Sequence, residues 1–284
     1  MPELPEVEVL VRHLAPLLKD KVIRNVAVRR PRVLRPTSET EFQRKLNGAK
    51  FISVTRRGKY LLFTLRAAEE RRTFNLLGHL GMTGRMYLQP STAALPRHAA
   101  VVFGFGRTNF IFEDFRYFGR LTLDISPIAT LGPEPLSGEF TPKYFAASLK
   151  RSGQAIKVRL LDQSLVAGVG NIYASEALYR ARISPRLAAR RLTRRQVQRL
   201  WYTVRDVLAD AVEFGSATQL DWAGRDKNNG LFYYGSDGDA LEPYEERLEV
   251  YDRAGKPCCR CKTPIKRIVQ AARSTFYCPR CQRV

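Results

Sequence analysis

The 284-residue sequence holds only three histidines, three methionines, two tryptophans and five cysteines, and its 27 acidic residues are far outnumbered by 48 Lys and Arg. Each shortage excludes something. No run of about 18 apolar residues occurs, so no segment reads as a membrane-crossing helix. The first residues lack a basic stretch followed by an apolar one, so no secretory signal is read and a cytoplasmic protein is expected. The cysteines are odd in number and confined to residues 258–281, which argues against a disulfide framework. The net charge of +21 is accompanied by no amphipathic or lipidation signal. The polyanion it favours is therefore nucleic acid rather than a membrane surface, with a merely solubilising basic surface as the plainer alternative.

What is present divides along the chain. The sequence opens MPELPEVE. Pro5 suits the first turn of a helix, and Val7, Val11, Leu14 and Leu18 continue a helical stripe that ends between Pro16 and Lys19. The acids Glu3, Glu6 and Glu8 oppose the positive end of that helix dipole. A second reading stays open: trimming of Met1 would leave Pro2 with a free secondary amine, a possible nucleophile. Residues 22–28, 50–56, 59–65, 72–77, 99–105 and 120–124 are β-branched or aromatic and are broken up by Gly, Pro and Asn. They predict a two-layer sandwich or a barrel. Residues 132–140, with two prolines and two glycines, read as a linker.

Beyond the linker the period becomes helical. Residues 172–181 form one helix, and a stronger one starts at Thr193 with a Thr193–Gln196 capping box and a Leu192–Val197 staple. Its buried stripe is Val197, Leu200, Trp201, Val204, Leu208 and Val212, with Gly215 as C-cap. Residues 216–246 are polar and aperiodic and read as a long loop.

Cys258-x2-Cys261 and Cys278-x2-Cys281, separated by sixteen residues, form the strongest local signal. Two such pairs bring four thiolates onto one tetrahedral zinc and leave no open coordination position, so the expected metal is structural. Cys259 is supernumerary.

Three segments then converge: PELPEVE at the start, GVGNIYASEAL at 168–178, and a four-cysteine finger ending RSTFYCPRCQ. Together they resemble the formamidopyrimidine-DNA glycosylase family over nearly the whole chain, most weakly near 225–246. The resemblance implies an α+β multidomain fold: an N-terminal helix and β-sandwich over 1–135, a helix-two-turn-helix domain over 136–225, a lesion-loop region over 226–250 and a β-hairpin zinc finger over 251–284. It implies a monomer that acts on damaged double-stranded DNA, associates with the nucleoid and has no membrane contact. Its activity would be removal of oxidised purines with cleavage of the strand.

The residue roles follow from the same resemblance. Pro2 matches the nucleophile, Glu3 the neighbouring acid and Lys59 the conserved lysine of a strand turn. Asn171 and Arg273 match residues that grip phosphates beside the lesion, and His98, Arg116 and Lys157 match DNA-contacting residues. Base flipping leaves a hole in the duplex. Met82, Arg116 and Phe118 match the residues that fill it, although without the resemblance Met82 and Phe118 read as core. The chemistry is coherent with this cast. An α-amino group titrates near about 8, so part of it is an active amine at neutral pH. A secondary amine forms a cationic iminium, an electron sink that favours β- and then δ-elimination, and a buried Glu3 would protonate the opening sugar. Glu6 is assigned to orienting the chain start. Two departures stand out: 231–247 is longer and more acidic than usual, and Tyr117 occupies a position where the family often carries arginine. Leu4, Met82, Arg116 and Phe118 all point away from the sister enzyme endonuclease VIII. A silent damage-binding protein on the same scaffold and a zinc-finger transcription regulator are the remaining rivals.

Overall fold

The computed structural model describes residues 2–68, 72–216 and 248–283. Apart from Ser216, the loop expected over 216–246 lies outside the described residues, as does the 231–247 segment. The described residues up to Ala129 form one compact unit, and those of 130–214 with 248–283 form another.

The first unit begins with helix α1 (Leu4–Leu18), in which Val7, Val11, Leu14 and Leu18 are all buried as their spacing predicts. There follow β1 (Asn25–Val28), α2 (Glu39–Leu46), β2 (Lys50–Arg57), β3 (Tyr60–Arg66), β4 (Thr73–His79), β5 (Gly84–Pro90), β6 (Ala99–Gly104), β7 (Thr108–Asp114) and β8 (Arg120–Thr122). They build two antiparallel sheets, ordered β1-β6-β7-β5 and β2-β3-β4-β8. The architecture is a sandwich, which resolves the sandwich-or-barrel alternative. Alternation along β3 turns Leu61, Phe63 and Leu65 inward. Phe51 of β2 makes edge contacts with Phe63, Phe103, Phe105 and Phe110 at centroid distances of 5.9, 6.4, 6.0 and 6.3 Å.

Four parts of the unit depart from the expectation. Residues 22–24 are not strand, and only Val22 makes an isolated bridge, to Lys50. Helix α2 is short, capped by Ser38, and buries only Phe42 and Leu46, too few apolar positions to set a period. Strands β5 and β7 were masked by Gly, Pro, Asn and Asp in GRMYLQP and TNFIFED, yet they pair in register from Gly84↔Asp114 to Pro90↔Thr108.

The second unit contains α3 (Pro142–Lys150), α4 (Ile156–Leu160), α5 (Asn171–Arg180) and α6 (Arg194–Ser216), then the hairpin β9 (Lys266–Gln270) and β10 (Arg273–Tyr277). The box that starts α6 is complete: the Thr193 N–H donates to Gln196 Oε1 at 2.8 Å and the Gln196 N–H to Thr193 Oγ1 at 3.2 Å. Val197, Leu200, Val204, Leu208 and Val212 are buried, and Trp201 donates through Nε1 to the Phe140 carbonyl at 2.7 Å. Gly215 does not cap the helix, because α6 continues through it to Ser216.

Phe51→Ala removes the ring that joins both sheets, and should cost about 3–5 kcal/mol of stability in urea unfolding. Val22→Ala, at an exposed position, should change stability by less than about 0.5 kcal/mol. A Phe51→Ala cost below about 1 kcal/mol would contradict this account of the core.

Candidate functional site

The start of α1 is buried. Leu4 and Pro5 occupy its first turn, and Glu3 and Glu6 form a reciprocal capping box. The Glu3 N–H donates to Glu6 Oε2 at 2.6 Å, while the Glu3 carboxylate faces the Glu6 N–H. Glu3 is 1% exposed and Glu6 fully buried, and Pro2 is buried beside them. Residues read as a helix start thus bring a proline and two carboxylates into one buried segment.

Lys59 lies in the two-residue turn of the β2–β3 hairpin, closed by the pair Arg57↔Tyr60. Gly58 takes φ 57° there, and Lys59 is buried. Next to it is a residue the sequence reading passed over. His79 ends β4, pairs with Tyr60 across the sheet, and lies 4.8 Å from the Tyr60 ring. Its Nδ1 accepts from the Gly81 N–H at 3.1 Å, which leaves Nε2 as the protonated nitrogen. Burial first, then the charges of Lys59 and Arg120, push its pKa down to about 4, so the imidazole is neutral at pH 7. The chain's scarcity of histidine was the available signal.

His79 opens the loop that carries Met82, and this loop packs on the one that carries Arg116 and Phe118. Gly81, at φ 62°, permits the approach, since a Cβ there would lie 2.6 Å from the Gly119 nitrogen. Asp114, fully buried, organises both loops. It accepts from Thr83 Oγ1 at 2.5 Å, from the Arg116 N–H at 3.2 Å and from the Gly119 N–H at 2.7 Å. The core reading of Met82 and Phe118 is corrected: they are 42% and 48% exposed. Arg116 joins them, with its guanidinium 4.7 Å from the centre of the Phe118 ring and NH1 3.5 Å from Met82 Sδ. His98 packs its ring edge-on to Phe115 at 4.9 Å and lies 3.4 Å from the Tyr117 hydroxyl. Arg30 stands 5.4 Å over the Tyr117 ring. The tyrosine that departs from the family pattern therefore has an arginine beside it.

In the second unit, Asn171 begins α5 after the Gly168–Gly170 turn. Its Oδ1 accepts from Lys157 Nζ at 2.6 Å, and its Nδ2 donates to the Ser274 carbonyl at 2.9 Å, one residue from exposed Arg273. Lys157 is 1% exposed. Its Nζ braces Asn171 here rather than facing outward as a contact lysine would. Glu176 on the same helix was also missed. It is buried, burial raises its pKa, and its carboxylate accepts from the N–H groups of Glu249, Val250 and Tyr251 at 2.8–3.0 Å. Arg180, one turn on, bonds Asp206, Asp210 and Glu249.

The four expected cysteines converge, with all Sγ atoms within 4.8 Å of one another; Cys258–Cys281 is 3.9 Å and Cys261–Cys278 is 3.4 Å. Zn–S bonds of about 2.3 Å at tetrahedral angles require sulfurs about 3.8 Å apart, so the donor set fits one zinc ion. Cys259 points to the exterior. Hydrogen bonds from Thr263 bring Cys261 down to about 6, whereas burial and the neighbouring sulfurs push Cys281 up to about 12. Four thiolates at this spacing need a cation. The Tyr179 hydroxyl, 3.1 Å from Cys258 Sγ, adds a buried partner to one ligand.

Two predictions test this geometry. His79 binds a proton less readily folded than unfolded, so the stability it confers is full above pH 6.5 and declines as pH falls toward 4. Between pH 7 and pH 5 the loss should be about 2 kcal/mol in urea titrations. His79→Asn, which keeps an acceptor for Gly81 but cannot titrate, should remove that component; an unchanged pH slope would refute it. Cys278→Ser should lower bound zinc from about one per chain to less than half that, by elemental analysis. Unchanged zinc would rule out Cys278 as a ligand.

Comparison with known proteins identifies the domains and the family. Residues 1–121 match the formamidopyrimidine-DNA glycosylase N-terminal domain, 131–221 the H2TH domain of the same enzymes, and 255–284 the zinc finger found in FPG and IleRS. The chain is 36% identical over 283 residues to the formamidopyrimidine-DNA glycosylase of Carboxydothermus hydrogenoformans, covering 100% of both. It is 43% identical over 289 residues to that of Thermus thermophilus, covering 99% of this chain and 98% of the relative. Among solved structures it resembles the Lactococcus lactis enzyme non-covalently bound to DNA containing an AP site, with a TM-score of 0.83, 30% identity and coverage of 99% and 100%. It also resembles MutM in complex with DNA containing carbocyclic 8-oxo-G, with a TM-score of 0.85, 31% identity and full coverage of both chains. The chain belongs to the formamidopyrimidine-DNA glycosylase family, and so to the glycosylases of DNA repair.

Proposed function

We propose that this glycosylase is bifunctional: it flips out oxidised purines such as 8-oxoguanine and formamidopyrimidines, excises them through a Schiff base on Pro2, and cleaves the strand by β,δ-elimination. The observation that carries the reading is the buried start of α1, where the capping box holds Glu3 and Glu6 to each other and Pro2 is buried next to Glu3 in the chain. A helix start needs only one small polar cap. Two buried carboxylates beside a terminal proline exceed that need.

With Met1 removed, the Pro2 nitrogen attacks C1′ of the extruded nucleotide. The N–C1′ bond forms, the glycosidic bond breaks, and the base leaves with its bonding pair and takes up the proton released from the Pro2 nitrogen, which restores the nitrogen lone pair. Glu3 protonates the ring oxygen as the sugar opens, and the nitrogen lone pair forms the iminium. Loss of the C2′ proton expels the 3′ phosphate. A second proton loss, at C4′, expels the 5′ phosphate. Lys59 supplies positive charge at the sugar and phosphate oxygens. Met82 and Phe118 enter the vacated stack while the Arg116 guanidinium bonds the orphaned base. Asn171 and Arg273 bind phosphates, Lys157 acts through Asn171, and His98 with the Arg30–Tyr117 pair contributes to the backbone surface. Zinc, when bound, supplies no chemistry and only fixes the finger. Oxidised double-stranded DNA is the partner this reading requires, with the protein acting as a monomer.

Borohydride trapping on a duplex carrying 8-oxoguanine opposite cytosine, followed by mass spectrometry, should locate the adduct on Pro2. Pro2→Gly should keep duplex affinity and lose strand cleavage by at least about tenfold. An adduct on another residue, or cleavage by Pro2→Gly at the wild-type rate, would overturn the assignment.

A further inference from the structure

We infer that Arg56 is a positioning residue for Lys59: clamped between Glu8 of α1 and the carbonyl of Gly58, it selects the orientation of the Gly58–Lys59 peptide and hence the direction in which the lysine leaves its turn. The inference rests on the proposal that Lys59 acts at the reacting sugar and phosphates.

The argument begins with the turn. Arg57 and Tyr60 are paired, so Gly58 and Lys59 alone span the hairpin. Gly58 has φ 57°, whereas Lys59 is not among the residues at positive φ. That is the II′ pattern; the alternative I′ turn differs by a flip of the central peptide and demands positive φ at both residues. The central peptide is the one that bears the Gly58 carbonyl. Glycine has no side chain to pin it, so its own conformational freedom works against a fixed lysine.

Arg56 supplies one such constraint. NH1 donates to the Gly58 carbonyl at 2.9 Å, and Nε of the same guanidinium donates to Glu8 Oε2 at 2.8 Å. The planar fork thereby relates two acceptors rigidly, which a lysine ammonium in its place would not do. Glu8 is itself fixed: its other oxygen accepts from Arg12 Nε at 2.9 Å, and it stands on the helix whose first turn buries Glu3 and Glu6. The Arg56 side chain is largely buried, so these charge-assisted bonds lie partly out of water. Burial alone would raise the Glu8 carboxyl, yet the bonds from Arg56 and Arg12 hold it below the ordinary range. The helix that carries the amine and the turn that carries the lysine thus share one guanidinium.

An ion pair that merely pins α1 to β2 predicts a different result, and a double-mutant cycle separates the two. Single-turnover cleavage of an 8-oxoguanine duplex is measured for wild type, Arg56→Met, Lys59→Ala and the double variant, with duplex Kd and Tm for each. Arg56→Met should slow cleavage at least about tenfold, with Kd within about threefold, because misplacing one group by about 1 Å carries losses of that order. In the Lys59→Ala background it should cost less than about twofold. Arg56→Lys should share the Arg56→Met defect. An equal loss in both backgrounds would overturn the inference and leave Arg56 as a helix anchor. Lys59→Ala at the wild-type rate would refute the role of the lysine itself, and the inference with it. Should Arg56→Met not fold, Glu8→Gln enters the same cycle, with a loss of about threefold confined to the chain that retains Lys59.

Discussion

A buried helix start must satisfy its own N–H groups, and most of what is distinctive in the first unit follows from how this one does so. At the start of α1, Pro5 removes one donor, the Val7 N–H reaches the Glu3 carbonyl, and Glu3 and Glu6 answer each other. These bonds let the helix start sit in the interior with Leu4 and Val7. Two carboxylates are the cost, since a buried charge without hydrogen bonds would be expelled or neutralised. The same acids that close the helix are therefore buried close to Pro2.

Asp114 and Glu176 extend the device to irregular backbone. A carboxylate offers only acceptors, whereas a loop that leaves a strand or meets a helix offers unpaired N–H groups. Asp114 gathers a threonine hydroxyl and two N–H groups and so shapes the Met82 and Arg116–Phe118 loops. Glu176 gathers three successive N–H groups at 249–251 and so fixes the segment that leads into the finger. In each unit one fully satisfied buried acid makes an otherwise soft segment definite.

These acids were also what the sequence concealed. The cysteine pairs carry their meaning in their spacing, Pro2, Glu3, Lys59 and Asn171 were singled out by the family resemblance of the segments that hold them, and α1 and α6 announce themselves by long apolar stripes and caps. Asp114, Glu176 and His79 sit inside the same motifs, in DFRYFG, GVGNIYASEAL and HLGMTG, yet their roles depend on partners distant along the chain or on burial that no local pattern encodes. Tertiary pairing decided β5 and β7 in the same way, since each strand is interrupted by residues that alone favour turns. Exposure inverted the reading of Met82 and Phe118, because an apolar residue on a loop between strands looks like core until the loop is placed.

The finger shows why a metal belongs at the end of this chain. Strands β9 and β10 are five residues each, and a lone two-stranded hairpin of that length is marginal in water. Its turn adds a further burden, because Ala271 and Ala272 both adopt positive φ, 47° and 58°, where a Cβ is unfavourable. Arg273 follows directly, so the strained turn fixes the point from which that guanidinium projects. Stability must come from outside the strands. The Cys258–Cys261 and Cys278–Cys281 pairs flank the hairpin and close it on one side, while Asn171 and Glu176 tie β10 and the segment at 249–251 to α5 on the other. A zinc ion held by all four thiolates converts two weak strands into a rigid arm, and the strain at its tip is tolerated because its base cannot open.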